Sequence, residues 1–329
     1  MGKRTDRKKL IVVLALLAFF AVNSYLLFFP VPISVGTVYV PPGSKSGEIA
    51  LILKEKGIIR NRLLFRFLGE FYKLFKNIKA GEYSFGSRAS TLDVVKKLAS
   101  GDIKIHVVTV PEGYTMEEIA LVLSMEGLVD FRKFIALANN ANLTVDTFSF
   151  PAKLEGYLFP ETYKFAKVPN AEEYIIMEML REFKKRVVDV YSAEIEQKGY
   201  TLEKVLIMAS LVEREALINP ERPIITRVFY NRLKKGMMLQ SCPTVMYALG
   251  KFRGKLSNED LKVKSPFNTY ICTGLPPGPI CSPGVPSIEA AIRPADVNYL
   301  YFVSRNNGTH YFSRDYESHK RAKLKYQGT

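Results

Sequence analysis

Two stretches of this chain are near-copies of each other, and that repeat limits what the chain can fold into. VYVPPGSKSGEIALILKEKGII (38–59) and VTVPEGYTMEEIALVLSMEGLV (108–129) align without gaps at an offset of seventy, with ten of twenty-two positions identical. The shared positions include Pro41/Pro111, Gly43/Gly113, Glu48/Glu118 and Gly57/Gly127. Each copy reads as a short alternating strand that ends at a Pro-x-Gly turn. An amphipathic helix follows and stops at a glycine suited to the C′ position. A second apolar helix is predicted after each copy, over 61–75 and 131–139. Between the copies, AGEYSFGSRASTLDVVKKLASGDIK predicts a strand, a turn and a helix from Thr91 to Ala99, closed by Gly101. Residues 37–140 therefore read as small α+β units used twice. Two copies are too few for a solenoid, so the region is expected to bind or to space.

The N-terminus constrains location. MGKRTDRKK (1–9) carries five Lys/Arg and one Asp, and residues 10–29 then run for twenty positions without a charge. At about 1.5 Å per residue, such a helix spans the ~30 Å hydrocarbon core of a bilayer. A basic flank before the span predicts a basic tail (1–9) inside, a single-pass anchor (10–29) in the cytoplasmic (inner) membrane, and the rest of the chain outside. A cleaved signal peptide is the rival reading; Pro30, Val31 and Pro32 follow the run where small-residue cleavage signals would stand. The net charge is +15, of which the tail supplies +4. A basic surface beyond a membrane suits anionic lipids or cell-wall polymers. Nucleic acid is excluded as a partner by location and by the lack of an aromatic-basic recognition motif.

From 141 to 329 the chain reads as one mixed domain of helices and short strands. Helices are predicted over 171–197, 202–215, 222–235 and 288–292, followed by a hairpin in NYLYFVSRNNGTHYFSR around an Asn-Gly turn. TGLPPGPICSPGVPS packs five prolines into fifteen residues, which predicts an ordered irregular loop lining a cleft. The three cysteines, Cys242, Cys272 and Cys281, have no metal-site spacing; an odd count outside the cytoplasm predicts one disulfide and one free thiol, and the rival reading is three buried thiols. No cofactor is called for, and neither the cysteines nor His310 and His319 support a metal.

The candidate chemistry centres on LIMASLVEREA (206–216). On a helix Glu213 shares a face with Leu206, Ala209 and Ser210. Apolar surroundings favour the protonated form of a carboxyl, which can then serve as a general acid. The rival reading makes Glu213 a helix end paired with Arg214, Arg222 or Arg227. Downstream, Asn231, Gln240, Asn268, Thr269 and Tyr270 offer neutral hydrogen-bonding groups; Tyr157, Phe159, Tyr230 and Tyr247 offer flat apolar faces. Neutral donors beside aromatic platforms suit a sugar polymer.

Several of these motifs carry a resemblance. ASLVEREA, RVFYNRLKKGMMLQSCPTVMYALG, NTYICTGLPPGPICSPG, YLYFVSR and, upstream, LEGYLFPETYKF closely resemble the endolytic murein transglycosylases, the YceG-like family. The resemblance implies LysM-like modules in 37–140 and a catalytic domain in 141–329. It implies cleavage within peptidoglycan strands between MurNAc and GlcNAc, leaving 1,6-anhydroMurNAc ends, with Glu213 as acid and base. It further makes Glu155 and Glu161 substrate-positioning or structural and Gln240 a contact to substrate or to Glu213; Asn231, Asn268, Thr269, Tyr270 and Tyr157, read from their chemistry alone, complete the expected substrate-binding set. Partners would be wall-synthesis enzymes, and the role would be to end or trim nascent strands. Where the family pattern has Asp after Leu-Gln-Ser/Thr, this chain has Cys242, so a disulfide from Cys242 to Cys281 or Cys272 is expected to replace that contact. The competing readings are an inactive wall-binding protein, a hydrolase pairing Glu213 with Glu155 or Glu161, and a Ser210 nucleophile, for which no surrounding motif speaks.

Overall fold

The computed structural model describes residues 2–33, 36–74, 78–251 and 254–328; the side chains of residues 2–10, 26 and 31 lie outside that description. The chain is mixed α+β, and every sheet among the described residues has two strands. It divides into two compact units. The smaller holds residues 1–106 and 164–169, and the larger holds 107–163 and 170–329.

In the smaller unit, helix α1 (Gly2–Phe28) precedes a β-α-α-β motif. From Ile11 to Val22 every position of α1 is exposed, so the helix has no buried side there. Among the described residues no helix is long and apolar enough to cross a membrane. The span expected over 10–29 is therefore not borne out on them, although the side chains of Leu10 and Leu26 fall outside them. After a two-residue strand β1 (Val31–Pro32), β2 (Thr37–Val40) pairs antiparallel with β3 (Gly81–Ser84), with Val38 opposite Tyr83. Between them lie α2 (Ser46–Glu55) and α3 (Arg62–Phe71). The helix expected to reach residue 75 thus ends at Phe71, and 75 itself lies outside the described residues. The short β4 (Arg88–Ala89) leads into α4 (Thr91–Ser100), which starts at a Ser90/Asp93 capping box and ends at Gly101 with φ 63°. Leu53, Phe65, Tyr83 and Leu98 meet in its core.

The larger unit opens on the second copy of the repeat. After β5 (Ile105–Thr109), Gly113 turns with φ 79°, and α5 (Met116–Met125) starts at a Thr115/Glu118 capping box. Gly127 takes φ 65° and Asp130 caps α6 (Phe131–Asn139). The first copy has the same parts: Gly43 at φ 72°, a bond from the Lys45 backbone N–H to the Glu48 carboxylate, Gly57 at φ 69°, and Asn61 capping α3. The repeat is thus real in structure. Its two copies fall in different units, the first within 1–106 and the second within 107–163.

A small hairpin of β6 (Thr144–Val145) and β7 (Phe148–Ser149) and the strand β8 (Thr162–Ala166) come next. Then α7 (Glu172–Phe183) continues through one π-helical turn (Lys184–Val188) into α8 (Asp189–Gln197), which makes the predicted 171–197 helix. The centre of the unit is α9 (Leu202–Glu215), capped by Thr201 and buried without a break from Val205 to Val212. It packs against α10 (Arg222–Lys234) and α12 (Val285–Ile292). The remaining elements are α11 (Cys242–Ala248), the β9/β10 hairpin (Tyr301–Ser304, His310–Ser313) and α13 (Tyr316–Gln327).

The proline-rich loop is ordered by α9. The buried Ser210 hydroxyl accepts the Ile280 N–H at 3.1 Å, and the Cys281 thiol lies 3.4 Å from the Ser210 carbonyl. Gly156 backs onto the same loop at φ 85°, where a Cβ would sit 2.5 Å from Pro279 Cβ. Left-handed backbone and lack of space both forbid a side chain there. Gly156→Ala is expected to destabilise the protein by about 2–4 kcal/mol, read as a lower urea midpoint with an unchanged slope.

Candidate active site

The last turn of α9 carries two carboxylates with opposite surroundings. Residues two apart on a helix stand on nearly opposite sides. Glu213 points into protein: its side chain is 6 % exposed, and Oε1 lies 3.0 Å from Arg222 Nη1. Oε2 accepts the Gly284 N–H at 3.0 Å. Arg222 is itself held by Asn219 and by the Ser287 hydroxyl. Of the partners expected for Glu213 as a helix end, Arg222 is the one found. The second copy of the repeat closes over this cluster. The Gly113 N–H donates to the Ser282 carbonyl, the Ser282 N–H donates to the Tyr114 carbonyl, and Arg214 donates to the Gly113 carbonyl. Glu112, next to Gly284, has its carboxyl raised by burial and by the nearby Glu213 charge, with Arg222 opposing.

Glu215 faces the other way, into a cleft of about 560 Å³. The cleft is also lined by Arg232, Leu239, Gln240, Cys242, Tyr270, His310 and one face of α13. Burial raises the Glu215 carboxyl above its usual range; a 2.6 Å hydrogen bond from the Ser241 hydroxyl and the charges of His310 and Arg232 pull less strongly the other way. Its place at the helix C-terminus adds to the rise, because the helix dipole there disfavours an anion. Arg232 is buried with its donors spent on the carbonyls of Leu300, Met238 and Leu239, and burial lowers its pKa. His310 is braced by Glu221, which takes its backbone N–H at 2.9 Å and lies 2.7 Å from Nδ1. That leaves Nε2 as the ring nitrogen available to the cleft.

The expected binding residues divide. Gln240 and Tyr270 line the cleft with Glu215. Gln240 does so from a left-handed backbone, φ 51°, fixed by its N–H to the Thr269 carbonyl. Strain of this kind in a non-glycine residue is held by surrounding structure and concentrates at functional sites. Thr269 supports the floor: its hydroxyl accepts the Ser241 N–H and meets the Thr244 hydroxyl. Asn268 spends its amide on the carbonyls of Leu261 and Val263, and Asn231 spends its own on those of Val297 and Tyr299, so both are braces. Glu161 pairs with Arg186 outside the cleft. Tyr230 stacks on Tyr200, and Phe159 is buried.

Glu155 and Tyr157 line a second hollow of about 280 Å³ with Lys153 and Phe267. Glu155 accepts the Met116 N–H at 3.0 Å and the Tyr247 hydroxyl at 3.1 Å, and burial raises its carboxyl from 4.5 to about 7.

The expected disulfide is not present: all three cysteines are free thiols. Each has its own partner. Cys242 lies 3.1 Å from the Tyr270 hydroxyl, Cys272 meets the Ser265 carbonyl and Cys281 the Ser210 carbonyl. Cys242 is exposed in the cleft and Cys281 is buried behind α9, so the two serve different surfaces. Sequence reasoning passed over Glu215, Ser241, Arg232, His310 and Glu221. The available signal was helical geometry, since Glu213 and Glu215 cannot both face one pocket.

The model of the YceG-like family matches residues 38–325. The chain belongs to the YceG-like family. It is 36 % identical over 304 residues to a Bacillus subtilis protein named endolytic murein transglycosylase, covering 88 % of this chain and 84 % of that one. It is 35 % identical over 319 residues to a Streptococcus pneumoniae protein of the same name, covering 87 % of this chain and 57 % of the relative's length. The crystal structure of a yceG-like protein from Listeria monocytogenes superposes with a TM-score of 0.61 at 35 % identity, covering 87 % of this chain and 97 % of the other.

The paired and the buried carboxylates each give a measurable outcome. Arg222→Met leaves Glu213 buried without its cation and is expected to cost about 3–5 kcal/mol; adding Glu213→Leu recovers part of it. Denaturant unfolding of both variants reads this. Glu155 binds its proton more tightly folded than unfolded. The stability it contributes is full below its ordinary pKa of 4.5 and lost as pH rises through about 7. Glu155→Gln should therefore gain up to about 3 kcal/mol relative to wild type at pH 8 compared with pH 4, measured by urea unfolding across that range.

Proposed function

We propose that this chain is an endolytic murein transglycosylase that cuts within peptidoglycan strands between MurNAc and GlcNAc, with Glu215 as its acid and base. The observation that carries the reading is that Glu215 is the single carboxylate among the described residues lining the cleft. A glycoside hydrolase of the usual kind needs two carboxylates around the bond. A lytic transglycosylase recycles one. Glu215, kept protonated by burial, gives its proton to the glycosidic oxygen. As carboxylate it then takes the proton of the C6 hydroxyl of the same sugar, and that oxygen attacks the anomeric carbon. The attack is intramolecular, so positioning replaces an activated water. The product is a 1,6-anhydroMurNAc end. Gln240 and Tyr270 stand beside Glu215 to orient the sugar, and His310 offers a braced hydrogen-bonding nitrogen.

The sequence pointed to Glu213, two residues earlier. The geometry favours Glu215, because both oxygens of Glu213 are already engaged, one by Arg222 and one by the Gly284 N–H. In this reading Glu213 holds the end of α9 in place. The same proposal extends to the rest of the chain. The basic tail and the charge-free run support a single-pass anchor with the catalytic unit outside the cytoplasmic membrane. The β-α-α-β arrangement of the smaller unit supports a LysM-like module that holds glycan. Together they suit an enzyme that trims nascent strands beside wall-synthesis enzymes.

The test is product analysis of the full chain in detergent on purified peptide-free glycan strands. Wild type should release internal fragments with anhydro ends. Glu215→Gln should lose at least about a hundredfold in rate, while a folded Glu213→Gln still makes product. Reducing ends from wild type would overturn transglycosylation. An inactive, folded Glu213→Gln beside an active Glu215→Gln would move the acid back to Glu213.

A further inference from the structure

The cleft is polarised, and the polarity comes mainly from one helix. Tyr316, His319, Lys320, Lys323 and Gln327 of α13 all line it. Their spacing of three, four and seven residues is that of a single helix face. Lys320 and Lys323 therefore stand one turn apart along the cleft wall, both exposed. Other lysines of this unit are neutralised locally, such as Lys184 by Asp189 and Lys251 by Asp260. Among the described residues Lys320 and Lys323 have no carboxylate within 4 Å. The Lys323 charge acts on Cys242 across the cleft and on His319 beside it. Behind them Arg232 adds a buried guanidinium bound to carbonyls and lying over the Tyr301 ring, with no ion-pair partner among the described residues. Against these three cations the lining has one carboxylate, Glu215, which burial biases toward its neutral form.

A neutral glycan backbone makes no use of such a wall. Uncompensated cations along a groove are complementary to anions spaced along a polymer. We infer that Lys320 and Lys323 bind carboxylates carried by the glycan strand, so that the cleft selects carboxylate-bearing muramyl units over neutral sugar polymer. The inference rests on the proposed activity and names the substrate class of that same site. Two sources share the chemistry: the free lactyl carboxylate of a peptide-free muramic acid, and the carboxylates of stem peptides.

The test uses full chain in detergent and three strand preparations: peptide-free, stem-peptide-bearing, and peptide-free with the lactyl carboxylates methyl-esterified. Cleavage and fluorescence-anisotropy binding are measured on each. Wild type should prefer an anionic strand over the ester by roughly tenfold in kcat/KM, and added salt should erase the preference. Lys320→Gln/Lys323→Gln should lose the same factor on anionic strands, in KM rather than kcat, and match wild type on the ester. Lys320→Arg/Lys323→Arg should keep the preference. Preference for the peptide-free strand assigns the lactyl carboxylate, and preference for the peptide-bearing strand assigns the stem. Cleavage of all three strands at equal efficiency overturns the inference and leaves the transglycosylase reading standing. Carboxylate-dependent, lysine-dependent binding without cleavage overturns the activity and leaves the cationic wall as a binding surface.

Discussion

The larger unit is pinned by one buried ion pair. Glu213 and Arg222 join the end of α9 to the start of α10, and through the Gly284 N–H and the Ser287 hydroxyl they reach the turn that opens α12. Three segments lock at one point of low exposure. Breaking such a pair on one side strands a charge in protein, so the cluster resists partial change. Its geometric effect is on its neighbour. With Glu213 fixed toward the interior, the helix turns Glu215 to the opposite side, where burial and the helix dipole favour the protonated carboxyl. A paired and an unpaired carboxylate are thus set two residues apart on one helical turn.

The repeat shows one local sequence used for two ends. Both copies build the same strand, glycine turn and capped helix from the same identities. In the first copy no described residue lies within 4 Å of the space beside Gly43. In the second, the space beside Gly113 is bounded by Glu213 and Arg214, and the turn bonds to the proline-rich loop. A turn that is an exposed surface feature in one unit is packed against the end of α9 in the other.

Much of the architecture was legible because it obeys local rules. The repeat, its capping positions, the 171–197 helical run and the Asn-Gly hairpin all came from periodicity and turn chemistry, and the structure has them. Gln240, Tyr270 and an acid at the end of α9 were legible as cleft residues. What was not legible depends on which way a side chain turns. Glu213 reads as the acid in a linear motif, and its ion pair with Arg222, on another helix, is not readable from that motif. Asn231 and Asn268 look like sugar-binding amides, but backbone carbonyls claim them, those holding Asn231 from far along the chain. Arg232 and the α13 lysines join the cleft from segments about ninety residues apart, a juxtaposition no spacing rule encodes. That the second copy of the repeat packs with the helices C-terminal to it is likewise a matter of long-range contact and not of spacing.

The three sulfurs are each placed by a polar neighbour. Cys281 rests its thiol on a carbonyl of α9, Cys272 closes a turn, and Cys242 meets a tyrosine hydroxyl at the cleft. No cross-link holds the larger unit together; packing on α9 and the ion pair do. Each sulfur therefore acts as a polar contact to one neighbour, and the three sit in three different parts of the unit.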